Sequence, residues 1–135
     1  MNLVDLVASF VAGIASAGFG GVQFFIICAG TCLLGALTNT DKTSFAFSPL
    51  LNPASAFVAA AVASGYANYK GYNGGGHGPA SSLMALQKPD VLLIGGVAGV
   101  LGWIVNWALG LIGLAGLDTI AVTVVIVPLV FKVIF

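Results

Sequence analysis

Long apolar runs separated by short polar intervals form the pattern of this sequence. The apolar runs cover residues 3–37, 48–66, 91–114 and 119–135, and the longest polar interval is 67–90. The last run is rich in Val and Ile but lacks the alternation of polar and apolar residues that a membrane strand needs, so it too is predicted to be a helix. The pattern therefore predicts an all-α chain.

The first run, Leu3–Leu37, is too long for one simple crossing of a membrane. At about 1.5 Å per residue such a helix would reach roughly 50 Å, whereas the hydrocarbon core of a bilayer is about 30 Å thick. Gly18, Gly20 and Gly21, followed by Gln23, mark the place where it breaks, because glycine weakens a helix. Either the chain turns back there, or one helix is unwound inside the membrane and lines a binding or permeation site.

The second run, 48–66, contains a helix start at Asn52-Pro53-Ala54-Ser55, because Asn suits the N-cap and Pro the first turn. A helix from Ser48 would cross the bilayer, whereas one from Pro53 is a half-helix that dips into it. Asn52-Pro53-Ala54 resembles the motif of aquaporin-type channels, but the second copy and the six crossings of that family are absent, so the family is not inferred. Pro79-Ala80-Ser81 starts another short helix, so the two starts are either facing half-helices or ordinary helix beginnings.

Three tyrosines lie at the start of the polar interval, one on the residue just before it and two inside it, and the interval also carries a glycine-rich stretch and the only histidine. Tyr66, Tyr69 and Tyr72 are typical of the membrane–water interface. His77 is either a proton relay or pH sensor, or a solvated loop residue. Pro79–Gln87 is predicted to be a short interfacial or re-entrant helix that ends before Pro89.

The run 91–114 is the clearest transmembrane helix. Gly95, Gly99 and Gly102 give it a face of small residues for close helix packing, either between subunits or within one chain. Asn106 is a polar residue in an apolar helix, and it must bind another helix or line a polar path.

Composition places the chain outside the soluble class. Hydrophobic residues make up 59% and charged residues 6%, with no Glu and no Arg, and the mean hydropathy is +1.11. So few charges cannot solvate a soluble surface. The net charge of zero excludes a basic face for nucleic acid. Cys28 and Cys32 are expected to be packing residues, and neither a metal site nor another cofactor is predicted.

These observations predict one membrane domain over 1–135, with about four to five transmembrane helices, in a cell (inner) membrane. Lys70, Lys88 and Lys132 fall on one side of the membrane and Lys42 on the other, so the central loop and the C-terminus are predicted to be cytoplasmic. No nucleophile with a base or pair of carboxylates indicates an enzyme.

The hypothesis for function is a small channel or transporter subunit that acts as a homo-oligomer and moves a small solute or ion. The alternative is a structural subunit that packs against partners in a larger membrane complex. The predicted path residues are Gly20, Gly21, Gln23, Asn52, Ser55, His77 and Asn106.

Overall fold

The chain folds into helices, and the prediction of an all-α protein is confirmed. The computed structural model describes residues 1–72, 78, 81–113 and 116–135; it is 79% helical, and no strand occurs in these ranges. The helices are α1 (Leu3–Phe19), α2 (Gly21–Thr38), α3 (Thr43–Ala46), α4 (Pro53–Tyr69), α5 (Pro89–Ile112) and α6 (Thr119–Ile134), with a short 3-10 helix at Met84–Leu86.

A single glycine separates the first two helices. Gly20 has φ 110° and ψ 139°, which is a conformation that residues with a Cβ rarely adopt. The amide of Gly20 still donates to the Ser16 carbonyl oxygen at 2.7 Å. The backbone N–H at the break is therefore satisfied. Beyond it, Phe25 of α2 lies beside Pro53 at the start of α4, so the chain reverses direction at Gly20.

Helix α4 is the centre of the fold, in contact with α1, α2, α5 and α6. It begins at Pro53, the later of the two starts considered for it, because the Asn52 side chain caps it by accepting from the Ala54 amide. It runs to Tyr69, and most of its residues are buried. Because alanine and serine dominate these residues, four neighbouring helices can approach its backbone closely.

The glycine face of α5 packs inside the chain, which is the second of the two arrangements considered for it. A Cβ on Gly99 would lie 2.6 Å from the Ser9 carbonyl oxygen of α1, and one on Gly95 would lie 2.7 Å from the Cβ of Ala17. On the same helix, Gly102 lies directly against the Ala54 carbonyl of α4. Gly95, nearer the start of α5, lies against Ala17 near the end of α1, whereas Gly102, farther along α5, lies against the start of α4. Helix α5 therefore runs antiparallel to both.

Small and polar side chains fill the interior, while large apolar side chains cover the outside. Fully buried positions include Ser9, Ser16, Ser55 and Thr123, and the bulkiest fully buried side chain is Leu83. By contrast, 29 large hydrophobic side chains in the described part of the chain are exposed. In soluble proteins the large aliphatic and aromatic residues are the ones most often buried.

The segment before α5 closes one end of the bundle. The Leu83 amide donates to the Ala17 carbonyl oxygen at 3.2 Å, and the Ser82 hydroxyl donates to the Gly18 carbonyl oxygen. Leu83 packs among Ala17 of α1, Ala63 and Ala67 of α4, and Val91 of α5. The predicted interfacial helix is therefore limited to one 3-10 turn at Met84–Leu86, and Pro79 and Ala80 lie outside the described residues.

Within the part of the chain that the structure describes, two helices have both the length and the apolar composition to cross a membrane, namely α2 with 18 residues and α5 with 24 residues. Helices α1 and α6 are apolar but shorter. The α2 helix is attached to the rest of the fold by a narrow line of small buried residues, Gly21, Cys28 and Gly35. Since these residues are seven apart, most of the circumference of α2 is left uncovered.

Substituting Gly102 by alanine tests the close packing of α4 and α5. The added Cβ would meet the Ala54 carbonyl oxygen of the backbone, which has little freedom to move. We expect the free energy of unfolding to fall by about 1–3 kcal/mol, measured by denaturant unfolding of the purified protein. Gly110→Ala on the same helix is the matched control, because no atom lies within 4 Å of its added Cβ. A Gly102→Ala variant as stable as the wild type would contradict this packing.

Candidate functional site

The predicted path residues do not line one cavity in the described structure. Gly20 and Gly21 are buried at the break between α1 and α2, whereas Gln23 is exposed. Gln23 lines a shallow outer cleft together with Phe19, Phe24 and Ile27. His77 lies outside the described residues.

Asn52 and Ser55 hold the start of α4 against the preceding loop. The Asn52 amide nitrogen donates to the Phe47 carbonyl oxygen at 3.3 Å, while its side-chain oxygen accepts from the Ala54 amide at 2.9 Å. The Ser55 hydroxyl donates to the Pro49 carbonyl oxygen at 2.8 Å. Both side chains are buried, and these bonds satisfy backbone groups that burial would otherwise leave unpaired.

Asn106 occupies the second half of α5, one turn after Gly102 and on the same face. Its side-chain oxygen is buried and accepts no hydrogen bond from any described residue, and the indole nitrogen of Trp103 likewise lacks a partner there. A third buried polar atom in this condition is the hydroxyl oxygen of Ser48, in the loop before α4. Buried polar atoms in native proteins are nearly always bonded to protein or water, so these three atoms are the polar groups best placed to receive water or a solute.

A cluster of tyrosines and lysines surrounds Asp90 at the opposite end of α5. The hydroxyls of Tyr66 and Tyr72 both donate to the same carboxylate oxygen of Asp90, each at 3.3 Å. The ammonium group of Lys88 lies 5.0 Å from the Tyr72 ring centroid, and that of Lys70 lies 5.7 Å from the Tyr66 centroid. Cations at these distances from aromatic faces are stabilised by the ring quadrupole.

The phenol of Tyr72 remains a hydrogen-bond donor at neutral pH. Its burial raises its pKa, and the Asp90 carboxylate beside it raises the pKa further, while Lys70 acts in the opposite direction. Sequence reasoning identified the three tyrosines but missed Asp90 as their partner. The available signal was the position of Asp90 at the start of a helix whose antiparallel neighbour ends in tyrosines.

Side-chain charges are divided between the two ends of the bundle. We call the end formed by Tyr69 of α4, Pro89 of α5 and Ile134 of α6 the lysine end; it carries three lysines and one aspartate, a net of two positive charges: Lys70, Lys88, Lys132 and Asp90. The opposite end, which we call the aspartate end, carries one lysine and three aspartates, a net of two negative charges: Lys42, Asp5, Asp41 and Asp118.

Two clefts on the outer surface combine an apolar lining with a single charged residue. One, of about 410 Å³, lies between α2, α4 and α6 and contains Asp118. Asp118 already caps α6 by accepting from the Ile120 and Ala121 amides at 3.1 and 3.0 Å. The other, of about 320 Å³, lies between α4 and α6 and contains Lys132.

The described residues contain no cluster of metal-binding side chains. In the ranges that the structure covers, no three His, Cys, Asp or Glu side chains lie close enough together to hold a metal ion. Both cysteines are free, and the Cys28 thiol lies 3.2 Å from the Ala46 carbonyl oxygen of α3. The thiol therefore fills the contact between α2 and α3.

No protein-family model matches the chain, and no curated protein or solved structure matches it.

Substituting Asn52 by alanine tests whether this residue is a structural cap. The variant loses the bond to the Ala54 amide and the bond to the Phe47 carbonyl, so we expect a loss of about 1–2 kcal/mol of unfolding free energy. Asn2→Ala is the matched control, because Asn2 caps α1 at an exposed site, where water replaces the lost bond at a smaller cost. Equal losses for the two variants in denaturant unfolding would argue against a buried cap at Asn52.

Proposed function

We propose that this chain is an integral membrane protein that crosses the bilayer with five helices, α1, α2, α4, α5 and α6. The observation that carries the proposal is the reversed polarity of the fold, with serine, alanine and glycine inside and 29 large apolar side chains outside. Each large apolar side chain left in water forgoes about 1.5–3 kcal/mol. An exterior of this kind gains nothing from folding in water, whereas lipid tails supply the apolar surroundings that such side chains favour.

Helix lengths and packing are compatible with five crossings. Helix α5, with 24 residues, reaches about 36 Å, and a small tilt fits it to the hydrocarbon core. Helices α1, α4 and α6, with 16 or 17 residues, reach about 25 Å, which a slight local thinning of the bilayer accommodates. The four neighbours of α4 cover its less apolar surface, so α4 need not face lipid.

The orientation follows from the lysine end. Positively charged residues in short loops favour the cytoplasmic side, and three of the four lysines lie at that end of the bundle. We infer that the lysine end is cytoplasmic and that the aspartate end faces the other side. Five crossings then leave Leu3 and Ile134 on opposite sides.

We further propose that the protein is a subunit of a homo-oligomeric channel or transporter for a small solute or ion. The interior of one chain is filled by the contacts of α5 with α1 and α4, so a pathway would lie between subunits. The uncovered face of α2 is the surface that supports this arrangement, because only a narrow line of small residues attaches α2 to its own chain. Gln23 lies near the start of α2 and is exposed, which gives that surface a polar group.

A structural subunit of a larger membrane complex is the second candidate. The cleft that contains Gln23, of about 420 Å³, is otherwise lined by Phe19, Phe24 and Ile27, and such a lining suits helix packing as well as it suits a solute path. Under this candidate the uncovered face of α2 binds a different protein, and the purified chain conducts nothing.

Flux measurements in liposomes separate the two candidates. We expect the wild type to conduct a small solute or ion, and Gln23→Leu to lower the flux at least several-fold by removing a polar group from the pathway. Thr31→Val on the same helix is the matched control, because the Thr31 hydroxyl donates to the Ile27 carbonyl oxygen of its own helix. Absence of flux for the wild type across a panel of ions and small neutral solutes would favour the structural subunit.

Labelling with a membrane-impermeant maleimide tests the crossing by α4, one of the five, and the orientation. In a background with both native cysteines replaced by alanine, Met84→Cys probes the lysine end and Thr43→Cys probes the aspartate end; both positions are exposed. We expect Thr43→Cys to react in intact cells and Met84→Cys to react only after the membrane is opened. The reverse result would overturn the orientation, and labelling of both from outside would overturn the crossing by α4.

A further inference from the structure

The cleft between α4 and α6 has the form of a groove for a flexible apolar chain. The volume of the cleft is about 320 Å³, which is at the lower end of the range for small-ligand sites. The cleft is lined by Ala61, Val62, Gly65, Pro128, Phe131, Lys132 and Phe135. Gly65 leaves open space in this groove, which we call the notch, because an added Cβ there would have no atom within 4 Å.

Positive charge lies at the end of this groove. Lys132 is part of its lining and is exposed. Phe135, also in the lining, stacks on Tyr69 with ring centroids 5.9 Å apart, and the Lys70 ammonium lies 5.9 Å from the centroid of that same Tyr69 ring. Lys132 therefore lies in the groove itself, and the Lys70 ammonium is separated from Phe135 of the lining by the Tyr69 ring. The nearby Asp90 carboxylate already accepts from Tyr66 and Tyr72.

A second copy of this chain would not complement these charges. Copies that share one orientation in a membrane bring their lysine ends to the same depth, so a neighbour would add positive charge. The negative partner must therefore come from another molecule that also has an apolar segment for the groove. A phospholipid with an anionic headgroup has both parts, and a lysine near the surface of an anionic leaflet contributes about 1 kcal/mol to such binding.

We propose that the groove between α4 and α6 binds an anionic phospholipid, with an acyl chain over Gly65 and the phosphate beside Lys132 and Lys70. The proposal rests on the membrane crossing proposed above. It does not depend on whether the protein transports a solute.

The test uses the full chain in a mild detergent, with phosphatidylglycerol and phosphatidylcholine of identical acyl chains as probes. Native mass spectrometry counts the retained lipids, and thermal unfolding measures the stabilisation. For the wild type we expect phosphatidylglycerol to be retained in preference to phosphatidylcholine and to raise the melting temperature by several degrees. Glycerol phosphate at the same concentration should give no shift, which separates a lipid from a free phosphate.

Matched variants test whether a preference for phosphatidylglycerol arises from the groove. Gly65→Leu fills the notch and is expected to abolish the preference, whereas Gly30→Leu on α2 is expected to retain it. Gly30 is the control because it too is a helical glycine with no atom within 4 Å of an added Cβ. Lys132→Gln should weaken phosphatidylglycerol binding about fivefold, the value that corresponds to one surface lysine, while Lys42→Gln at the aspartate end should not.

Each result bears on one proposal. Equal retention of the two lipids by the wild type, or an unchanged preference in Gly65→Leu, would overturn the lipid site and leave the membrane crossing intact. Solubility of the wild type as a single species in buffer without detergent would overturn the membrane crossing itself. Lipid preference without solute flux would support the lipid site while removing only the transport role.

Discussion

The close approach of backbones around α4 is the constraint on which the rest of the structure depends. Glycine at 95, 99 and 102 of α5 lets its backbone touch α1 and α4, and alanine and serine on α4 extend the same spacing to α2 and α6. Contacts of this kind gain van der Waals energy without burying large apolar side chains. The large apolar side chains are left for the outside, and the polarity of the whole fold follows from that division.

The sequence predicted the helices well because their signals are strong and local. An apolar run too long for one helix, with three glycines near its middle, predicted a break that the structure places at Gly20. The predicted helix boundaries were less accurate where an N-cap residue determines the first residue of the helix. Both Ser48 and Pro53 were considered as starts of the second helix; the Asn52 cap starts α4 at Pro53, and residues 48–52 form a loop.

The candidate site was less predictable, because residue type alone does not tell a cap from a ligand contact. Asn52 and Ser55 were path candidates as polar groups in an apolar run, yet their hydrogen bonds go to the adjacent loop backbone. The unsatisfied oxygen of Asn106 and the groove at Lys132 depend on how separate helices meet. From the sequence only the lysines were assigned to the two sides of the membrane, although Asp41 beside Lys42 and Asp90 close to Lys88 could have been assigned with them.

The segment that carries Leu83 connects three helices at one end of the bundle. Its docking surface exists only when the end of α1, the last turns of α4 and the first turn of α5 are together, because Leu83 touches all three and its amide bonds to Ala17. One side chain therefore joins three helices that are far apart in the sequence, and a change at Leu83 would loosen all three of their contacts at the same point.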